Sequence, residues 1–304
     1  MQAPIGPATT ADLVSAVSGT GALGTLAASW TEPEVLRRQL QRVRAEVGID
    51  YCVNLVLAFD QSERLDVILD EGARFISFSW GIDRELIGRA HDRGAVVLVQ
   101  VGDVAGAVEA SDRGADIVIA QGVEAGGHVQ GTTPLVELLR GMRSAVELPI
   151  VAAGGISDSA SVRAAMFAGA DAVACGTAFL AAREADVHPV YLARLFHAAA
   201  ADTVLTTVFD VGWPDAPHRI IRNDTYVAWD SAGRLPRGAR TGEGVVVAAT
   251  RDGTPIVRYS DAQPTKGTAG DIEAMALYAG MSVGHVRRPA GAEEITKAIA
   301  RALG

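Results

Sequence analysis

The sequence predicts an α/β fold, a (β/α)8 barrel with a small inserted lid subdomain, on three observations. First, short apolar runs alternate with amphipathic stretches over the first two thirds of the 304 residues. Second, each run is continuously apolar, which is typical of a parallel strand covered on both faces. Third, several amphipathic stretches end in Gly-Ala just before the next run, and glycine is the usual left-handed residue after a helix. This repeated order indicates a parallel sheet.

Seven apolar runs are predicted to be strands, and an eighth fits only at residues 1–5, so the first barrel strand should be short. The runs are 22–29, 51–58, 75–80, 96–101, 116–121, 149–153 and 172–175. Helices are expected between them, for example at 32–47, 62–71 and 159–168. The Gly-Ala pairs are Gly72-Ala73, Gly94-Ala95, Gly114-Ala115 and Gly169-Ala170.

The regular pattern stops near residue 201 and gives way to polar, turn-rich sequence with several X-Pro steps, among them Trp213-Pro214, Ala216-Pro217, Leu235-Pro236 and Gln263-Pro264. We therefore expect a barrel formed by residues 1–201 and 271–304, and an insertion or lid subdomain over 202–270. A helical pattern returns at 271–279. A last amphipathic helix is predicted at 292–303, packed back on the barrel.

Composition excludes several classes of protein. The net charge is −9 and no basic stripe is visible, so nucleic acid is not an expected partner. Because no run of about 18 apolar residues and no basic-then-apolar leader occurs, we expect a cytoplasmic protein without a membrane partner. Cys52 and Cys175 both lie in apolar runs and should be buried thiols. No histidine pair has ligand spacing supported by carboxylates or cysteines, so no metal is predicted.

Two glycine motifs follow consecutive strands. Gly154 and Gly155 end the run at 149–153, and Gly176 with Thr177 ends the run at 172–175. These are the seventh and eighth barrel strands, whose loops often form a phosphate site. Glycines allow backbone N–H groups to approach phosphate closely. One pair alone is usually a turn, but both in this position predict a phosphate-binding site.

His128 is the strongest candidate for chemistry. It follows Gly126 and Gly127 shortly after the sixth strand, on the face where barrels carry their active sites. Imidazole accepts protons near neutral pH, so His128 is the predicted base. A loop histidine without a task is the alternative.

Amide side chains end three otherwise apolar strands: Asn54, Gln100 and Gln121. A buried amide costs free energy unless it is paired. Pointing from the strand ends, these amides would hydrogen-bond the ring or ribityl chain of a flavin. Amides satisfied within the core or a loop are the alternative.

Together these motifs resemble the nitronate monooxygenase family, formerly called 2-nitropropane dioxygenase. The resemblance lies in residues 121–128, 152–156 and 176–179 and covers nearly the whole chain. Residues 3–6 resemble the family's opening strand end, and 277–281 resemble its C-terminal signature. The chain departs from the family at Met281, where a glutamine is often found, and in its short first strand.

The resemblance implies non-covalent FMN, with its phosphate at Gly155, Gly176 and Thr177. Its isoalloxazine ring would lie over Ala3, Pro4 and Ile5, with His128 facing the reactive edge. The implied reaction is oxidation of alkyl nitronates by O2 to a carbonyl compound and nitrite. In some members the histidine also deprotonates nitroalkanes.

Three other functions remain open. The same superfamily contains FMN reductases that use NAD(P)H on a quinone or enoyl thioester. A flavin-free barrel that binds a sugar phosphate is a second alternative, and a non-catalytic FMN-binding barrel is a third. The substrate is expected to be a small molecule, and a homodimer is left open.

Overall fold

The computed structural model describes residues 1–301 and contains a curled parallel sheet of seven strands. Each predicted apolar run contains one of them, and neighbours in the chain are neighbours in the sheet, except where the two-residue β6 (Gly127–His128) intervenes. This confirms the α/β barrel-like class. The strands are β1 (Thr25–Ala27), β2 (Cys52–Val56), β3 (Phe75–Ser79), β4 (Val96–Val101), β5 (Ile117–Gln121), β7 (Ile150–Ala153) and β8 (Ala172–Ala174).

The first residues of the chain close the gap between β1 and β8. The backbone N–H of Gln2 donates to Leu23 O, and the N–H of Ala3 donates to Cys175 O, both at 2.9 Å. Cys175 N–H donates in turn to Met1 O at 3.1 Å. The expected first strand is therefore reduced to an isolated parallel bridge between Gln2 and Cys175, which links the two edges of the seven-stranded sheet.

Helices follow the strands and cover the outside of the sheet, where their buried residues join the main hydrophobic core. Gly72, Gly94, Gly114 and Gly169 all have positive φ, as predicted for residues that end helices. The longer helices are α1 (Ala11–Ser18), α2 (Pro33–Val47), α3 (Ser62–Asp70), α4 (Arg84–Asp92), α5 (Val104–Asp112), α6 (Leu135–Ala145), α7 (Ser159–Phe167) and α9 (Pro189–His197). The four-residue α8 (Thr177–Leu180) follows β8 directly.

The helix predicted at 271–279 is wrong. Only a 3-10 turn forms, at Ile272–Ala274. The next residues are extended because their backbone bonds to another segment: Ile221 N–H donates to Leu277 O at 2.8 Å. The last helix, α11 (Ala292–Ala300), begins as predicted, and its predicted end at 303 lies outside the described residues.

Two small antiparallel sheets occur in or beside the segment 202–270. One joins β9 (Thr203–Thr206) and β10 (His218–Ile221) to β6 (Gly127–His128). The other contains β11 (Val246–Ala249), β12 (Pro255–Val257) and β13 (Ala269–Gly270), with α10 (Asp224–Ser231) between the two sheets in the chain. Because β6 follows β5 directly, the first sheet lies at the carboxyl end of the barrel strands.

Both cysteines are buried free thiols, as expected. No helix within residues 1–301 is long and apolar enough to cross a membrane. The same residues contain no group of three or more side chains arranged to hold a metal ion.

Candidate active site

The backbone around His128 is held by the amide of Gln121, at the end of β5. Gln121 Nε2 donates to His128 O at 3.0 Å, and Gln121 Oε1 accepts from Gln130 N–H at 2.8 Å. Gln100, at the end of β4, continues the network because its Nε2 donates to Gln130 Oε1 at 2.9 Å. Two of the three predicted amides therefore orient the loop that carries the histidine.

Aromatic rings surround the His128 imidazole. Trp213 stacks on it at 4.3 Å and 25°, while Tyr278 lies at 5.6 Å and Trp80 at 6.2 Å. His128 Nε2 is buried and has no hydrogen-bond partner within the described chain. Desolvation, with a smaller contribution from nearby His218, lowers the pKa of His128 to about 3. The imidazole is therefore neutral at pH 7, and its Nε2 can still accept a proton or a hydrogen bond.

His218 is the antiparallel partner of His128 across β10 and β6. Its Nδ1 lies 2.9 Å from Ala216 O, so Nδ1 carries the hydrogen, and its Nε2 accepts from Phe209 N–H at 3.3 Å. Desolvation lowers the pKa of this fully buried ring to about 4. Both nitrogens are used by the backbone, so His218 supports the site as a neutral ring. No local sequence signal marks this role.

The loop before His128 packs directly on the backbone of the C-terminal signature. A Cβ on Gly126 would lie 2.3 Å from Gly280 N, and one on Gly280 would lie 2.8 Å from Glu124 O. Gly280 N–H donates to Thr177 Oγ1 at 3.0 Å, and Met281 N–H donates to Glu124 O at 2.9 Å. Gly126 is thus required for close backbone packing between the loop before His128 and the C-terminal signature. Thr177 is hydrogen-bonded to the same signature.

The two predicted phosphate loops and the start of the chain meet beside this unit. A Cβ on Gly176 would be 3.6 Å from Ile5 Cγ2 and 3.8 Å from Ala3 Cβ. Gly154 and Gly155 both have positive φ, at 113° and 69°. Within residues 1–301, the N–H groups of Gly155 and Gly176 donate to no backbone acceptor. These two groups are available to an anionic ligand.

Asn54 is buried in the middle of β2 and does not end that strand as the sequence suggested. Its Nδ2 donates to Ser77 Oγ at 3.0 Å and to Ser77 O at 3.2 Å. Ser77 of β3 therefore provides hydrogen-bond acceptors for this amide nitrogen. The sequence-predicted residues thus form one group around His128, Gly126 and Gly176, while Asn54 belongs to the neighbouring strands.

Four aromatic side chains, here called the aromatic wall, extend from His128 toward solvent: Trp30, Phe59, Trp80 and Trp213. The first three follow β1, β2 and β3, and Trp213 precedes β10. Ring centroids are 5.3 Å apart for Phe59 and Trp213, 4.8 Å for Trp80 and Trp213, and 6.1 Å for Trp30 and Trp213. No local sequence motif marks this wall, because its four residues are far apart in the chain.

Comparisons with known proteins place the chain in one family. The family model described as nitronate monooxygenase matches residues 34–301. An octahydro-1H-indene-4-carboxyl-CoA dehydrogenase from Mycobacterium tuberculosis is 33% identical over 227 residues, which are 74% of this chain and 63% of that relative. The chain thus spans less than two thirds of that relative's length. A nitronate monooxygenase from Pseudomonas aeruginosa is 33% identical over 68% of this chain and 72% of its own.

Solved structures of similar shape cover almost the whole chain. FabK from Thermotoga maritima has a TM-score of 0.80 at 27% identity, covering 98% of this chain and 91% of its own. A nitroalkane oxidase from Streptomyces ansochromogenes also has a TM-score of 0.80, at 28% identity, covering 99% of this chain and 94% of its own. The buried histidine, its glycine-rich surroundings and the family match over 34–301 lead to one assignment. The chain belongs to the nitronate monooxygenase family.

Proposed function

We propose that this protein uses FMN to oxidise alkyl nitronates with O2, giving a carbonyl compound and nitrite. The observation that carries the proposal is the buried His128, whose Nε2 lacks a partner at the carboxyl end of the barrel strands. An unpaired buried nitrogen is costly unless a ligand completes it. Membership of the family and the similarity to a protein named nitroalkane oxidase support this reaction.

The residues present fit FMN. The free N–H groups of Gly155 and Gly176 suit a phosphate without a lysine. A Cβ on Gly127 would meet no atom within 4 Å, which leaves room for a planar ligand beside His128. When bound, FMN would supply the two-electron oxidation, which no side chain can perform. The residues proposed to hold it are Ala3, Pro4, Ile5, Asn54, Gln100, Gln121, Gly126, Gly127, Gly154, Gly155, Gly176 and Thr177.

His128 would act on substrates that arrive still protonated at carbon. A neutral nitroalkane carries a proton on the carbon next to its nitro group, and the lone pair on Nε2 would take that proton. The C–H electron pair then moves onto the nitro group and gives the nitronate. A pKa near 3 makes the imidazole a weak base while Trp213 covers it. Preformed nitronates need no such transfer, so they are the proposed principal substrates.

Residues 202–270 would act as a lid over the barrel mouth. Trp213, from this segment, lies on the face of His128, and β10 is hydrogen-bonded to β6. Such a cover would exclude water from the reacting atoms and commit a bound substrate.

A second candidate is the FMN-dependent reduction of a quinone or an enoyl thioester, with NAD(P)H as the electron donor. The relative from Mycobacterium tuberculosis, named as a CoA-ester dehydrogenase, favours it at 33% identity. The two candidates share the fold and the cofactor, so they differ in which reagent reduces the flavin.

The test begins with the absorbance spectrum of the pure protein, where a flavin spectrum excludes the flavin-free sugar-phosphate barrel. Anaerobic mixing with propyl-1-nitronate, and separately with NADH and NADPH, then follows the loss of flavin colour. We expect rapid bleaching by the nitronate, and nitrite with O2 uptake in air. Rapid bleaching by NADH or NADPH alone would transfer the assignment to the second candidate.

A further inference from the structure

The outer end of the aromatic wall is exposed although it adjoins the candidate active site. Trp30 is 57% exposed and Phe59 is 36% exposed, while Trp213 at the inner end is 7% exposed. Large aromatic side chains contribute most to binding when a ligand covers them. The stack of Trp213 on His128 makes the wall continuous with the reacting position.

The shape of the wall selects a planar group. Its rings meet at steep angles: 65° between Trp30 and Phe59, 72° between Phe59 and Trp213, and 53° between Trp30 and Trp213. Aromatic pairs prefer tilted or offset contacts, so a further flat ring can add to such a cluster through its edge or its face. The inner rings, Trp80 and Trp213, pack with Val56 and Ala216, which are apolar. A neutral ring is therefore favoured over a charged one.

The length of the wall favours a substrate with a large apolar group. Centroid separations of 6.1 Å from Trp30 to Trp213 and 4.3 Å from Trp213 to His128 put the imidazole within about 10 Å of Trp30. A three-carbon nitronate covers less of the wall than a ring-bearing one, since adjacent carbons lie about 1.5 Å apart. A ring-bearing substrate can cover more of Trp30 while its reacting carbon lies at His128.

We propose that the aromatic wall is the specificity site for a substrate whose nitronate carbon is joined to a neutral, planar ring system. Trp30 and Phe59 hold the ring, and His128 faces the reacting carbon. This inference rests on the proposed function for its reaction, but the ring-binding part stands on the wall alone.

The kinetic test compares two nitronates, those of naphthylnitromethane and of 1-nitropropane, in Trp30→Ala. Ring contacts of this kind are worth about 0.5–1.5 kcal/mol, so kcat/KM for the naphthyl substrate should fall by about 2- to 13-fold. The propyl substrate should lose less, and Trp30→Phe should restore most of the preference. Phe167→Ala is the matched control, because Phe167 is an exposed aromatic residue at the end of α7 and 88% exposed. It should leave both substrates unaffected.

The binding test needs no turnover. Calorimetric titration of the flavin-loaded protein with naphthylmethanol should give tighter binding than with its fully saturated decahydro analogue, and Trp30→Ala should remove the difference. Equal affinity for the two alcohols in the wild type would overturn the proposal, as would an equal loss on both nitronates in Trp30→Ala. If no nitronate is oxidised at all, the proposed function fails, while the titration still decides the ring site.

Discussion

The mouth of the barrel has two unlike halves. The loops after β5, β7 and β8 carry the glycines Gly126, Gly155 and Gly176, and a Cβ on Gly126 or Gly155 would crowd a neighbouring residue. The loops after β1, β2 and β3 carry Trp30, Phe59 and Trp80 and use large rings instead. His128 lies between the two halves. In the chain it follows the glycines Gly126 and Gly127, but its ring stacks on Trp213 of the aromatic half.

The two halves differ in how well they tolerate substitution of their residues. Backbone packing at Gly126 and Gly280 leaves contacts below 3 Å for any added Cβ, so that half cannot vary without moving main chain. The rings of the aromatic half contact one another through side chains and can be exchanged singly. A constant ligand such as a cofactor suits the first half, and a variable substrate suits the second.

The largest loss of activity is expected from substitution of His128, which lies between the two halves. His128→Ala should reduce turnover of neutral nitroalkanes by about 10²- to 10⁴-fold, the usual contribution of a positioned general base. Oxidation of preformed nitronates should suffer less, and flavin should stay bound. Steady-state nitrite release with each substrate measures both rates. Equal nitroalkane activity in wild type and variant would show that His128 is not the base.

The next effect tests the glycine half. Gly176→Val should bring three extra carbons toward Ile5 and Ala3 and block the approach of phosphate, giving folded but colourless protein. Flavin released per chain, read after denaturation, is the measurement. Gly88→Val is the control, since a Cβ on Gly88 meets no atom within 4 Å. Full flavin content in the Gly176 variant would show that this loop does not bind the phosphate.

A third prediction concerns acid stability beside the boundary. Desolvation lowers the pKa of folded His218 from 6.5 to about 4, so below pH 6.5 the unfolded chain binds more protons. Stability present above that pH is lost as the pH falls toward 4, by about 2 kcal/mol between pH 7.5 and 5 from this residue. Urea unfolding at the two pH values measures the loss. His218→Gln should show a smaller difference, and an unchanged difference would assign the acid sensitivity elsewhere.

The smallest effect sharpens the description of the aromatic half. Trp80 has φ of 59°, a left-handed conformation that disfavours residues with a Cβ. Trp80→Gly should therefore be about 1 kcal/mol more stable than Trp80→Ala, since both lose the ring but only glycine relieves the strain. The thermal unfolding midpoints of the two variants test this difference in stability. If the alanine variant is the more stable, the left-handed backbone is not strained.

Sequence predicted the half of the site whose signals are local. The apolar runs, the helix-ending glycines and the motifs around Gly126, Gly155 and Gly176 each lie within a few residues of a strand end. The aromatic wall could not be predicted in this way, because Trp30 and Trp213 are brought together only by the closed barrel and the β10–β6 pairing. His218 was passed over for the same reason.

One local sequence pattern also led to a wrong prediction. The apolar spacing at 271–279 is helical, yet the backbone of Leu277 accepts from Ile221 N–H and that of Ala279 donates to Arg219 O. Tertiary pairing overrode a weak propensity, as is common for short segments. The cofactor contacts assigned to Asn54, Gln100 and Gln121 remain predictions, since the structure gives their amides partners within the chain.

Closure of the barrel by its first residues has a consequence for the order of folding. Gln2 and Ala3 bond to Leu23 and Cys175, so the last gap between strands is sealed by segments that lie far apart in the chain. Contacts of such long sequence separation form slowly, because the entropy of closing the loop is lost before the contact forms. Ala3 also lies beside Gly176, so we expect the surroundings of that glycine to be completed only at that late step. Refolding with and without FMN should therefore share early kinetics and diverge only in the final phase.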